Sequence, residues 1–268
     1  MWRGEANCTV ALTFDFDAES VWLGSFGVDT PSALSRGAYG AFEGVPRILK
    51  MLDRLHLPAT VFIPGDTADR HPGVVKNIVA AGHEVGHHGY LHEPPHLLKP
   101  DEERAVLERG FTALAKHGVT PTGYRSPSCE LSKATYPLLA EYGFTYDSSM
   151  LARDTPYWVE INGQQSDIVE VPSVWELTDS AHFLFAVNPK YLVGMSAPSK
   201  VEEIWRGDFD GAYEDRGVFV LTLHPQIIGR WHRMRLLERT IAYIQGHDGV
   251  DFVQMHEIAA GFRKQQST

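Results

Sequence analysis

Two histidines four positions apart, His88 and His92, are suited by type and spacing to bind a metal ion. Residues four apart on a helical turn project from the same side, so on such a turn both imidazoles would point in one direction. A catalytic transition-metal site needs a third protein ligand and an open position. The spacing therefore predicts half of a metal site on a turn of helix.

Two aspartates, Asp15 and Asp17, are the candidates for the third ligand. They follow the apolar run 10–12, which predicts a buried strand that ends where the carboxylates begin. Residues two apart on an extended strand point to the same side. One carboxylate could bind the metal while the other acts on the water that the metal holds. The residues alone leave open which aspartate does which.

Strand and helix patterns alternate along the rest of the chain. Helices are predicted over 44–55, 73–81, 101–116, 132–141, 200–213, 229–245 and 256–264, and short strands over 59–63, 123–125, 144–146, 218–223 and 251–253. The stretch 18–40 is predicted to be a long loop, and 154–196 a set of loops and hairpins inserted over the site. This alternation implies parallel strands with right-handed crossovers. About seven such units predict an α/β fold, a deformed (β/α) barrel, as a single domain over residues 1–268.

Polar residues stand where the predicted strands end, namely Asp15, Asp17, His88, Arg125 and His224. Barrel enzymes keep their chemistry at the carboxyl ends of the strands. These five side chains are therefore expected to meet on one rim.

The composition excludes some classes of partner. The net charge is -10, with no compensating cluster of Lys and Arg, which argues against nucleic acid or an anionic membrane surface as partner. No apolar run is long enough to span a membrane, and no signal-peptide pattern follows Met1, so a cytoplasmic location is predicted. Cys8 and Cys129 show no spacing typical of a disulfide framework. The composition is compatible with a homo-oligomer.

Five motifs resemble those of the polysaccharide deacetylases that share the NodB homology domain, which are metal-dependent hydrolases of acetamido groups. They are 13–17 (Thr-Phe-Asp-Phe-Asp), 88–92 (His-Gly-Tyr-Leu-His), 125–127 (Arg-Ser-Pro), a less clear match at 171–175, and 221–225 (Leu-Thr-Leu-His-Pro). Phe16 separates two aspartates that are usually adjacent in that family, and Gly89 stands where many members have Ser or Thr. These two departures, together with the segments 35–40 and 44–47, make the sequence similar to one branch of the family. That branch includes peptidoglycan-deacetylase-like proteins, cyclic imide hydrolases and allantoinases.

The resemblance implies a role for each site residue. Asp17, His88 and His92 would hold a divalent metal, with zinc as the default and cobalt, nickel, manganese or iron as alternatives. Asp15 would be the general base, and the roles of the two aspartates could be exchanged. Arg125 would orient Asp15 and lower its pKa. His224 would protonate the departing nitrogen.

The implied activity is hydrolysis of a carbon–nitrogen bond other than a peptide bond. The substrate would be an N-acetylated sugar or a small amide, with a cyclic imide or allantoin-type ureide as the alternative. A mononuclear iron oxygenase also uses two histidines and one carboxylate, but it has no need of the second aspartate or of His224. A binding module without activity would not need to retain every catalytic candidate.

Overall fold

The structure, a computed structural model, describes residues 6–267. The strands are β1 (Cys8–Asp15), β2 (Thr60–Ile63), β3 (Glu84–His87), β4 (Gly123–Tyr124), β5 (Tyr146–Asp147), β6 (Tyr157–Ile161), β7 (Gln164–Glu170), β8 (Val218–Leu223) and β9 (Val250–Phe252). The α-helices are α1 (Pro31–Tyr39), α2 (Val45–Leu55), α3 (Gly65–Arg70), α4 (Pro72–Ala80), α5 (Pro100–Ala115), α6 (Thr135–Glu141), α7 (Asp179–Phe183), α8 (Pro198–Glu214), α9 (Pro225–Ile228), α10 (Trp231–Gln245) and α11 (Met255–Gln266).

The strands form one curved, mostly parallel sheet, which confirms the predicted α/β deformed barrel. The order is β6-β7-β5-β4-β3-β2-β1-β8, and β9 pairs with β1. Within residues 6–267, β6 is antiparallel to β7 and the other pairs are parallel. Strand β7 lies in the region predicted to hold loops and hairpins. The first half of β7 is polar and exposed and forms a hairpin with β6. Its second half joins the parallel sheet, because Val169 and Glu170 pair with β5.

Alternating residues of β1 belong to two separate hydrophobic clusters. Val10, Leu12 and Phe14 pack in a large cluster with residues of the surrounding helices. Ala11 belongs to a second cluster with side chains of β2, β5, β7 and β8 and with the apolar face of α11. Each fully buried Leu or Phe stabilises such a fold by about 1.5–3 kcal/mol. The side chain of Asp15 points to the same face of β1 as that of Ala11, because side chains alternate along a strand.

The stretch 18–40 is not the loop that its composition predicts. Residues 21–25 form a short π-helix, and α1 begins at Pro31 after Thr30, whose hydroxyl accepts a hydrogen bond from the N–H of Ala33. Pro at the first helical position after such a cap favours a helix start. Gly37 is required because a Cβ there would lie 2.4 Å from the carbonyl oxygen of Ala18. Gly37, which in the sequence favours a loop, thus lies inside α1 and allows that helix to pack closely on Ala18.

No helix within the described residues is both long enough and apolar enough to cross a membrane.

Candidate active site

The segment that carries the two histidines is a loop, so the predicted turn of helix is wrong. His88 directly follows β3, and His92 lies in the loop after it with a φ of 60°. Gly89 also has positive φ, at 70°, which a continuous helix does not allow. The loop still brings the two rings together, with centroids 4.8 Å apart and planes at 81°.

His88, His92 and Asp17 converge on one point. Nε2 of His88 lies 3.5 Å from Oδ1 of Asp17, and Nε2 of His92 lies 3.7 Å from the same oxygen. The candidate ligand atoms of the three residues all lie within 4.8 Å of one another. Oδ1 of Asp17 is buried and has no hydrogen-bond partner within residues 6–267. A buried carboxylate oxygen left facing two imidazole nitrogens fits a cation-binding site.

The hydrogen bonds of the two rings leave both Nε2 atoms free to bind a metal. Nδ1 of His88 lies 2.7 Å from the carbonyl oxygen of Arg125, which can only accept, so Nδ1 carries the proton. The hydroxyl of Ser25 donates to the carbonyl of His92 at 2.8 Å, and its oxygen lies 2.6 Å from Nδ1 of that ring. Nδ1 of His92 is therefore also the donor, which leaves Nε2 unprotonated.

Ser25 reaches His92 because the π-helix packs directly on the histidine loop. A Cβ on the preceding Gly24 would lie 1.7 Å from the carbonyl oxygen of Leu91, so only glycine allows this approach. The π-helix that follows β1 thus orients His92, which lies in the loop after β3.

The charges of the site suit a divalent cation. Burial lowers the pKa of His88 to about 4 and lowers that of His92 well below its ordinary value, so both rings are neutral, as metal ligands must be. Burial raises the pKa of Asp17 to about 7, and the charge of His224 offsets only part of that effect. A bound cation would favour the ionised form of Asp17. The other oxygen of Asp17 accepts a hydrogen bond from Nε2 of Gln226 at 3.1 Å.

Arg125 holds Asp15 in place. Its guanidinium donates to Oδ1 of Asp15 at 2.8 Å, to Oγ1 of Thr13 at 2.8 Å and to the carbonyl and hydroxyl oxygens of Ser148. Burial works to raise the pKa of Asp15, but the charge and hydrogen bond of Arg125, together with the charge of His224, outweigh it and hold that pKa below its ordinary value. Asp15 is therefore ionised, as a general base must be.

His224 faces the two aspartates from the end of β8. Its Nε2 lies 3.9 Å from Oδ2 of Asp15 and 3.9 Å from Oδ2 of Asp17. Its Nδ1 lies 2.6 Å from Oδ1 of Asp179. Burial works to lower the pKa of His224, but the carboxylate of Asp179, with smaller contributions from Asp17 and Asp15, more than compensates and raises it to about 9. The ring is thus protonated near neutral pH and able to donate a proton.

These groups open into a cavity of about 280 Å³. Aromatic and aliphatic side chains form much of its wall, including Trp22, Phe26, Leu184 and Ile227. Residues 128 and 129 also line it, with φ values of 61° and 53°, so a strained backbone turn borders the site. Glu130, which follows them in the sequence, is exposed and does not line the cavity.

The sequence predicts that five polar residues lie on one rim, and the structure brings these five side chains together with His92. The five are Asp15, Asp17, His88, Arg125 and His224. Sequence reasoning missed Asp179, Gln226 and Ser25. The sequence contains a signal for Gln226, since this residue directly follows His224-Pro225. Asp179 begins α7 in the irregular region 154–196, four residues beyond the motif match at 171–175. No local pattern marks Ser25.

The chain is similar to known proteins along almost its whole length. The family model described as polysaccharide deacetylase matches residues 5–146. A peptidoglycan deacetylase of Helicobacter pylori is 36% identical over 95% of this chain and 96% of its own. The peptidoglycan deacetylase-like protein FGM2 of Gibberella zeae is 30% identical over 94% of this chain and 86% of its own.

Solved structures agree with this similarity. A Mycobacterium smegmatis protein assigned to the polysaccharide deacetylases superposes with a TM-score of 0.94 at 39% identity, over 99% of this chain and 93% of that one. Puue allantoinase superposes with a TM-score of 0.84 over 100% of this chain and 94% of that one. Its identity of 24% shows a shared fold alone. By sequence and by structure, this chain belongs to the polysaccharide deacetylase family of hydrolases.

Proposed function

We propose that this protein is a metal-dependent hydrolase that releases the acyl group from an N-acetylated sugar or a related amide. The observation that carries the proposal concerns Oδ1 of Asp17, which has no hydrogen-bond partner within the described residues 6–267 and faces the unprotonated Nε2 atoms of His88 and His92. A divalent metal held there would supply Lewis acidity, polarising the scissile carbonyl and acidifying a water. Zinc is the default, and cobalt, nickel, manganese or iron would suit the same ligands.

The chain's own residues supply the proton transfers. Asp15, kept ionised by Arg125, takes a proton from the attacking water. His224, kept protonated by Asp179, gives a proton to the departing nitrogen. The 3.9 Å between Nε2 of His224 and Oδ2 of Asp15 supports this proposal, because the two groups could then act on the same small region of substrate. We further propose that these steps take place in a single catalytic domain.

A second substrate class, a cyclic imide or ureide, is favoured by the cavity itself. Its volume of about 280 Å³ lies just below the range for small-molecule pockets, about 300–1,000 Å³. Trp22 and Phe26 give it apolar sides, which suit one small ring better than a hydrated glycan chain. The relatives described as peptidoglycan deacetylases support the acetamido substrate instead.

The experiment that tests the proposal is a substrate panel with and without metal. Protein stripped by chelation and reloaded with zinc is assayed for acetate release from N-acetylglucosamine oligomers. The same preparations are assayed for ring opening of succinimide, hydantoin and allantoin. We expect turnover on one class, lost on stripping and restored on reloading. Equal turnover by stripped and reloaded protein would refute metal dependence.

A further inference from the structure

Outside the catalytic cleft, two acidic side chains are buried side by side on neighbouring strands. The parallel register pairs Asp147 of β5 with Glu170 of β7, so both side chains leave the sheet on the same face. Each residue is 0% exposed. Two ionised carboxylates in such surroundings repel each other and lose their hydration.

The hydrogen bonds of this carboxyl pair are complete except at one oxygen. Oε1 of Glu170 accepts from the N–H groups of Ser149 and Met150, both at 2.9 Å, and Oε2 accepts from the hydroxyl of Tyr136 at 3.1 Å. Oδ1 of Asp147 accepts from the hydroxyl of Ser149 at 2.7 Å. Oδ2 of Asp147 is buried without a donor in the described part of the chain. A proton held by Glu170 would supply that donor.

Among residues 6–267, no group packed around the carboxyl pair is free to neutralise two negative charges. The titratable groups that face it are Tyr124, Arg125, Cys129, Tyr136, Tyr146 and Tyr157, with Arg153 beyond the last. Arg125 is bound to Asp15, and Arg153 is exposed over the ring of Tyr157. Burial raises the pKa of Asp147, and burial together with that neighbour raises the pKa of Glu170 well above its usual range.

The carboxyl pair holds the turn after β5, and this turn holds Arg125. The carbonyl oxygen of Ser148 accepts from Nε of Arg125 at 3.0 Å, and the hydroxyl oxygen of Ser148 accepts from its terminal nitrogen at 2.9 Å. The hydroxyl oxygen of Ser149 accepts from the N–H of Ser126, the residue after that arginine, at 2.9 Å. Displacing the turn would therefore move the guanidinium.

We propose that Asp147 and Glu170 share one proton and, as a singly charged pair, position Arg125 and through it Asp15. Neither residue touches the cleft, so both are positioning residues. The catalytic part of this inference rests on the proposed function, because it takes Asp15 as the base. The structural part, a proton bound on folding, stands independently.

The activity test compares Glu170→Gln with Glu170→Ala. Gln keeps the oxygen that accepts from Ser149 and Met150 and offers a permanent N–H donor to Asp147. We expect kcat within about threefold of wild type for Gln and a loss of about tenfold or more for Ala, with KM and metal content unchanged in both. Equal losses in both variants would overturn the proposal, because the isosteric amide would not have replaced a protonated acid.

The stability test measures Tm against pH for wild type and Glu170→Gln. Because the pKa of Glu170 is raised on folding, the stability it contributes is complete below the unfolded pKa and is lost as pH rises toward the folded one. Gln binds no such proton. The Tm of Glu170→Gln relative to wild type should therefore rise from about pH 5 to about pH 8. A constant difference would mean that the carboxyl pair holds no extra proton.

Controls separate this inference from general damage and from the proposed function. Glu103→Gln changes another buried carboxylate, bound by the hydroxyls of Ser132 and Thr135, and measures how much of any Tm change comes from replacing a buried carboxylate in general. If Glu170→Ala fails to fold, Ser149→Ala replaces it, since it cuts the link to Ser126 and should lower kcat. If wild type hydrolyses no amide, the proposed function fails while the pH dependence of Tm still decides whether the proton is shared.

Discussion

Asp179 binds His224 through both of its carboxylate oxygens. Oδ1 lies 2.6 Å from Nδ1 of the ring, and Oδ2 accepts from the backbone N–H of the same histidine at 3.0 Å. Two contacts from one carboxylate fix the direction of the ring as well as its charge, so that Nε2 faces Asp15 and Asp17. This pairing joins α7 to the end of β8 and keeps the imidazole of His224 protonated near neutral pH.

Replacing Asp179 with Asn should shift the pH dependence of turnover. The carboxylate raises the pKa of His224 to about 9, and an amide at this position would let that pKa fall. The acid must be protonated, so activity is lost as pH rises through its pKa. The alkaline limb of kcat/KM should therefore move to lower pH in Asp179→Asn. An unchanged limb would mean that another group sets it.

His224→Ala should affect substrates according to their leaving groups. An alkyl amine must be protonated as its C–N bond breaks, whereas an imide leaves as a stabilised nitrogen. Turnover of an unactivated acetamide should therefore fall far more than that of an activated ester or imide. The measurement is kcat/KM across a series of graded leaving-group pKa. A loss that is the same for every compound would exclude His224 as the general acid.

The two aspartates should respond differently to replacement by Asn. Asp15→Asn should keep the metal and lose turnover by roughly a hundredfold or more, because the general base is gone. Asp17→Asn should weaken metal binding itself, since it alters the oxygen shared by both histidines. Elemental analysis and kcat are measured for each, with exposed Asp29→Asn as control. Metal loss in Asp15→Asn alone would show that the roles are exchanged.

Removing either histidine should remove metal and activity together. His88→Ala and His92→Ala each delete one of the nitrogens that face Asp17. His87→Ala is a matched control, because that ring is buried among aromatic side chains and contacts the carbonyl oxygen of Leu107. It should lower stability but leave the metal content of folded protein unchanged. Full metal content in His88→Ala and His92→Ala would refute the assignment.

Gln226→Leu should weaken metal binding without removing a ligand. Its amide donates to the second oxygen of Asp17 and so fixes the orientation of that carboxylate. Loss of such an outer contact costs about 10–100-fold in metal affinity. Affinity is measured by competition with a chelator, using exposed Gln245→Leu for comparison. Wild-type affinity in Gln226→Leu would show that Asp17 is oriented by other contacts.

The sequence by itself determined the alternation of strands and helices and the position of polar residues at strand ends. Apolar runs such as 218–223 and periodic helices such as 101–116 are local patterns, and burying each one leads to the same layered fold. The family motifs then predicted the candidate site residues, which are Asp15, Asp17, His88, His92, Arg125 and His224.

Only the tertiary structure decided how these residues are oriented and charged. The turn of helix predicted for His88 and His92 is wrong because spacing cannot distinguish a helix from a loop bent at Gly89. The contact of Asp179 with His224 spans 45 residues. The contacts of Gln226 and Ser25 with the candidate metal ligands Asp17 and His92 span 209 and 67 residues. Such pairs are set by how distant segments pack, and no local periodicity records them. The carboxyl pair on β5 and β7 likewise depends on strand register, which only the assembled sheet defines.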